Sequence, residues 1–151
     1  MKSLVAYYSR TNITKKLAEN IADKTNADIE EIIPKANYDG KMGYARGGKH
    51  AISSKVIDLE ELKHDPQDYD VVYLGCPVWA SRPATPLYSY MKMNEGKFKN
   101  VRFFVTAGGS GTDSTLKHME DASIKPQKTL ALTTKEVKKD LFEEQLNSFV
   151  E

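Results

Sequence analysis

Leu4-Val5-Ala6-Tyr7-Tyr8-Ser9-Arg10-Thr11-Asn12-Ile13-Thr14 is the stretch that decides how this chain is read. Leu4–Tyr8 is apolar throughout, as a central strand buried on both faces requires. The run breaks at Ser9 into a loop rich in hydroxyl groups. Ile13, Leu17 and Ile21 then recur at i, i+4 and i+8, which predicts an amphipathic helix to about Lys24. A buried strand that passes through a short polar loop into a helix is the first half of a strand–helix–strand unit.

The same handover recurs down the chain. Ala27–Ile33 reads as a second strand ended by Pro34, and its Asp28, Glu30 and Glu31 suit a sheet edge. Val71–Leu74 is a third strand, followed by a helix face at Ala84, Leu87 and Met91. Val101–Val105 is a fourth, with a helix beginning near Thr112, and Leu130–Leu132 is a fifth. A last helix starts at Thr133 or Thr134, where Thr133 and Glu136 have capping-box spacing, and carries Phe142, Leu146 and Phe149 on one face. Between Lys35 and Lys55 the pattern is weak, with one helical piece around Tyr44–Ile52; a binding loop or lid and a solvated insertion are both open readings.

Five strands alternating with helices predict an α/β fold: a doubly wound, five-stranded parallel sheet in a three-layer sandwich. The expected strand order is 2-1-3-4-5, which places a ligand beyond the carboxyl ends of strands 1, 3 and 4. The 151 residues fit a single domain over 1–151. Hydrophobic content of 40% and charged content of 28% are those of an ordinary globular chain. The longest apolar runs are far too short to span a bilayer, and no signal-peptide core follows Met1, so cytoplasmic residence without a membrane is expected. A net charge of +1 argues against nucleic acid. The single Cys76 excludes an internal disulfide, and the three scattered histidines lack ligand spacing, so no metal is expected.

Three loops follow the three central strands: Ser9-Arg10-Thr11-Asn12-Ile13-Thr14, Gly75-Cys76-Pro77-Val78-Trp79-Ala80, and Thr106-Ala107-Gly108-Gly109-Ser110-Gly111. The first offers hydroxyls and helix-start amides that suit a phosphate, although Thr11 or Asn12 could equally be a routine N-cap. Arg10 either adds a charge-assisted contact or points to solvent. Trp79 stands on a turn between Pro77 and Pro83, as a ligand platform or as part of the core. The third loop lets backbone amides approach a ligand closely, or simply makes a tight strand-to-helix turn. Together they suit a phosphorylated, flat, aromatic ligand. Competing motifs fail on spacing: there is no Gly-x-x-x-x-Gly-Lys, no Gly-x-Gly-x-x-Gly after the first strand and no Gly-x-Ser-x-Gly. A receiver domain would need acidic residues where Ser9 and Cys76 stand.

These three motifs, in order and at the ends of the matching strands, resemble the short-chain members of the flavodoxin family over the whole chain. The resemblance implies flavin mononucleotide (FMN) as cofactor. Ser9, Thr11, Asn12, Ile13 and Thr14 would hold its phosphate. Pro77, Val78, Trp79 and Ala80 would border one side of the ring, and Thr106, Ala107, Gly108, Gly109, Ser110 and Gly111 the other. It further implies low-potential electron transfer between redox partner proteins, a reductase and an acceptor, with the reactivity carried by the cofactor rather than by catalytic side chains. An FMN-dependent NAD(P)H:quinone oxidoreductase and a non-redox binding module are the alternatives. The chain departs from the family pattern at Asn12, where glycine is usual, at Ile13, where asparagine is common, and at Ala80-Ser81, where a glycine eases a backbone rotation beside the ring. Arg46 and Arg82 are further cations that could reach the ring.

Overall fold

The computed structural model describes residues 1–151. Its strands are β1 (Ser3–Tyr7), β2 (Asp28–Glu31), β3 (Val71–Trp79), the two-residue β4 (Arg82–Pro83), β5 (Val101–Ala107) and β6 (Thr129–Thr133). Five of them form one parallel sheet in the order β2-β1-β3-β5-β6, and β4 pairs antiparallel with the end of β3. With β4 set aside, this is the expected 2-1-3-4-5 order. The helices are α1 (Ile13–Thr25), α2 (Gly40–Ile52), α3 (Thr85–Met93), α4 (Thr112–Ala122), α5 (Thr134–Lys138) and α6 (Glu143–Val150). None is long and apolar enough to cross a membrane.

Strand alternation divides the interior into two cores. Leu4 and Ala6 of β1 join Leu74, Phe103, Leu87 and Met119 on the face covered by α3 and α4. Val5 and Tyr7 join Tyr73, Phe104, Leu17 and Phe149 on the face covered by α1 and α6. A strand buried on both sides must be apolar at every position, which is why β1 reads as an unbroken run.

The structure corrects the expected elements in four places. Residues Gly75–Trp79 belong to β3 rather than to a loop: Tyr7 pairs with Gly75, Pro77 with Thr106 and Trp79 with Arg82. Glycine and proline are poor strand formers, and they hid this extension. Helix α2 begins at Gly40, four residues before the expected Tyr44. Strand β2 is shorter than Ala27–Ile33, and Pro34 instead bridges Leu59. The last helix is two helices. Asp140 turns left-handed at φ 56°, and the Leu141 amide closes α5 on the Glu136 carbonyl at 2.9 Å. The Thr133–Glu136 capping box is present.

The β3–β4 hairpin turns through Ala80 (φ 51°) and Ser81 (φ 61°). Two successive left-handed residues make a type I′ turn, which favours Asn-Gly or Gly-Gly. Both side chains are exposed, so they gain little burial in return for the strain. Ala80→Gly is therefore expected to raise unfolding free energy by about 1 kcal/mol in a urea titration. A lower midpoint for this variant would overturn the strain argument.

Candidate functional site

Helix α1 starts from Asn12, which is left-handed at φ 69°, a conformation asparagine tolerates better than most residues. No side chain caps this end and no acidic residue lies in its first turn. The first amide bonded back into the helix is that of Lys16, to the Asn12 carbonyl. The amides of Ile13, Thr14 and Lys15 therefore have no intrahelical partner and present the positive end of the dipole. Close by, Ser9 Oγ is buried without a hydrogen-bond partner. A buried hydroxyl left unpaired is unfavourable unless something outside the protein completes it. Uncapped amides and the absence of acid in the first turn of α1 fit an anion such as a phosphate.

The loops are locked to one another. Thr14 and Thr106, both buried, share a hydroxyl–hydroxyl hydrogen bond of 2.8 Å that ties the start of α1 to the end of β5. Arg10 does not point to solvent. Its Nε donates to the Tyr38 carbonyl and its Nη2 to the Gly40 carbonyl, each at 2.9 Å, and its guanidinium lies 5.4 Å from the Tyr44 ring centroid. Gly111, at φ 90°, sits against the hairpin, where a Cβ would lie 2.9 Å from Ser81 Oγ.

The residues gather around a cleft of about 250 Å³ lined by Arg10, Thr11, Ile13, Thr14, Pro77, Val78, Trp79, Thr106, Ala107 and Gly108, joined by Tyr44 and Thr134. Its lining contains no carboxylate. Ala80 lines an adjoining cleft of about 210 Å³ that shares Tyr44, Val78 and Trp79. Ser9 opens instead to a cleft on the other side of Arg10, with Tyr8, Tyr38 and two carboxylates, Glu31 and Asp39. Asn12, Gly109, Ser110 and Gly111 line none of these; Asn12 and Gly111 set the backbone at the starts of α1 and α4. Arg46 and Arg82 are also absent from the two joined clefts, and Arg46 is held by the Asn37 carbonyl at 2.6 Å.

Trp79 is only 8% exposed. Tyr8 and Tyr38 pack edge-on against it at centroid distances of 5.4 and 5.1 Å. Helix α2 crosses it at Gly47, where a Cβ would come to 3.0 Å from the indole. The indole is thus a rigid wall of the cleft. The freely presented aromatic is Tyr44, 70% exposed and lining both joined clefts. Sequence reasoning did not select Tyr44 or Thr134. The only signal for Tyr44 was an aromatic residue in the segment that could be read as a lid. Cys76 is no nucleophile: burial pushes its thiol up to about 12, against a smaller opposing effect of a hydrogen bond with the Ala84 backbone.

A sequence model of the flavodoxin family matches residues 2–151. No curated protein matches the chain significantly. Among solved structures it is similar to a flavoprotein from Lactobacillus acidophilus in complex with FMN, at 24% identity and TM-score 0.74, covering 91% of this chain and 97% of that one. A candidate flavoprotein from Bacteroides eggerthii aligns at 21% identity and TM-score 0.78, covering 99% and 98%. An azoreductase from Bacillus anthracis aligns at 15% identity and TM-score 0.54, covering 99% and 95%. At such identities the likeness to these structures speaks for the fold.

Proposed function

This chain belongs to the flavodoxin family, and from that premise we propose that it binds FMN and carries electrons at low potential between redox partner proteins. The observation that carries the reading is the meeting of an uncapped α1 start with a carboxylate-free cleft at the carboxyl ends of β1, β3 and β5, with the orphaned Ser9 hydroxyl on the other side of Arg10. FMN, when bound, supplies reversible one- and two-electron chemistry. The protein's part is to hold and shape. The Ile13–Lys15 amides, Ser9 and Thr11 receive the phosphate, with Thr14 and Thr106 fixing the geometry of the loop. Val78 and the Trp79 edge form a firm floor for the ring, and Tyr44 covers its other side.

Titration with FMN tests this. A perturbed flavin absorption spectrum with quenching of Trp79, the only tryptophan, is the expected result. Tyr44→Ala is expected to weaken binding by about fivefold, the worth of one aromatic stack, with no change in the unfolding midpoint because Tyr44 is exposed. A spectrum unchanged by saturating protein would sink the reading.

The adjoining cleft of Tyr44, Ala45, Gly48, Val78, Trp79 and Ala80 favours a second reading, an FMN-dependent NAD(P)H:quinone oxidoreductase. Its apolar walls suit a flat organic acceptor beside the ring. Steady NADPH oxidation by the FMN-loaded protein with a quinone and no partner protein supports this reading. Absence of turnover leaves the carrier.

A further inference from the structure

A second, separate group of donors stands on the far side of the β3–β4 hairpin. It is built by the end of α2 (His50, Ser54, Lys55), by Arg82 of β4, by Thr85 at the start of α3 and by His118 of α4. It shares no residue with the clefts described above. Thr85 is 1% exposed, and its Oγ1 is buried with no hydrogen-bond partner. Helix α3 starts at Ala84, which offers no side-chain cap, and the first amide bonded back into it is that of Tyr88. The Thr85 and Leu87 amides are consequently open, and Pro86 has none.

The charges agree. No carboxylate lines the pocket, and neither Arg82 nor Lys55 forms an ion pair. Arg82 reaches only Ser54 Oγ, at 3.5 Å. His118 donates its Nδ1 proton to the Ser114 carbonyl at 2.7 Å, which leaves its Nε2 without a proton in the neutral ring. His50 instead bonds the Tyr38 hydroxyl through Nδ1 at 2.8 Å, and in the tautomer that accepts there its Nε2–H is free to donate. Burial, then Lys55, Arg46 and Lys49, hold His50 below its usual range, as expected where cations crowd without a counter-charge. The carbonyls closing α2 are already used, by the amides of Ser53, Ser54 and Lys55.

We propose that Thr85, Arg82, Lys55, Ser54, His50 and His118 form a second anion site, for a phosphate-class oxyanion, independent of the FMN reading. The one guanidinium of Arg82, an ammonium, two hydroxyls, the His50 Nε2–H and the open α3 amides exceed what the two oxygens of a carboxylate can accept. They match the three or four oxygens of a phosphate. The enclosed room is about 10 Å³, space for one water-sized group, so one phosphate oxygen enters beside Thr85 and the others stay at the rim with the exposed Ser54 and Lys55. The oxyanion is either free phosphate or the phosphate ester of a larger molecule.

The test is an NMR titration of the His50 and His118 ring signals in full-length protein, run once without FMN and once with FMN added, so that its outcome does not depend on the cofactor cleft. Inorganic phosphate is one probe and adenosine 2′-monophosphate the other. Saturable shifts of both rings are expected, weakened about tenfold by Arg82→Gln and by Thr85→Val. Thr85→Val removes an unpaired hydroxyl, and a thermal melt of each variant confirms that it folds. Tighter binding of the ester identifies a larger ligand as the source; equal or tighter binding of phosphate identifies the free ion. The proposal falls if neither probe saturates by about 10 mM, or if the folded variants titrate as the parent does.

Discussion

Gly75→Ala is expected to lower unfolding free energy by about 3 kcal/mol, the largest effect of any single methyl group added to this chain. A Cβ at this position would lie 2.0 Å from the Phe104 ring, deep inside van der Waals contact. The ring cannot yield. Phe104 is fully buried on β5, beside Phe149 at a centroid distance of 6.4 Å, and Gly75 itself is held between Tyr7 of β1 and Phe104 in the ladder. Relief must come from parting β3 and β5 where they lead into Pro77–Trp79 and Thr106. FMN affinity is thus expected to fall together with stability. Urea unfolding gives the first effect and flavin titration the second. In the double variant Gly75→Ala/Phe104→Leu the combined loss should be well short of the sum of the single losses, because the two changes share one contact. A single variant within about 0.5 kcal/mol of the parent would show that the strands separate freely.

Gly75 also marks the boundary of what the sequence could tell. The three central strands were legible because each is a short apolar run buried on both faces and followed by a helical period, while the mixed polarity of β2 marked it as an edge. The end of β3 was not legible. Gly75 and Pro77 look like loop residues, yet Gly75 is there because Phe104 occupies the space of its side chain, a fact that depends on a strand about thirty residues away. The same holds at the site. Hydroxyls at a helix start were visible in Ser9–Thr14, and the left-handed Asn12 followed from its chemistry. Trp79 was ambiguous: a lone tryptophan beside two prolines gives no hint that Tyr8 and Tyr38 will brace it edge-on. Tyr44 was hidden because α2 opens Gly-Lys-Met-Gly, a weak helical sequence. That helix is held by tertiary contacts: Gly43 clears the Tyr38 backbone, Gly47 clears Trp79, and Arg10 fastens the turn before it.

Ser9→Ala and Thr14→Val should both weaken FMN binding, by about tenfold each, while moving the stability of the cofactor-free protein in opposite directions. The difference lies in what each hydroxyl does before the ligand arrives. Ser9 Oγ is buried and unpaired, so its removal takes away a desolvated group and raises apo stability by up to about 1 kcal/mol. Thr14 Oγ1 is paired with Thr106 at 2.8 Å; its removal leaves the Thr106 hydroxyl buried alone and costs about 1 to 2 kcal/mol. Riboflavin, which lacks the phosphate, separates the two routes to weaker binding. Ser9 acts on the phosphate, so riboflavin affinity should be unchanged in Ser9→Ala. Thr14 acts through the joint between α1 and β5 that shapes the cleft, so riboflavin affinity should fall in Thr14→Val. If Ser9→Ala lowered apo stability, the hydroxyl would have a protein partner. If it weakened riboflavin as much as FMN, Ser9 would shape the loop rather than hold the anion, leaving the open amides of α1 to bind it.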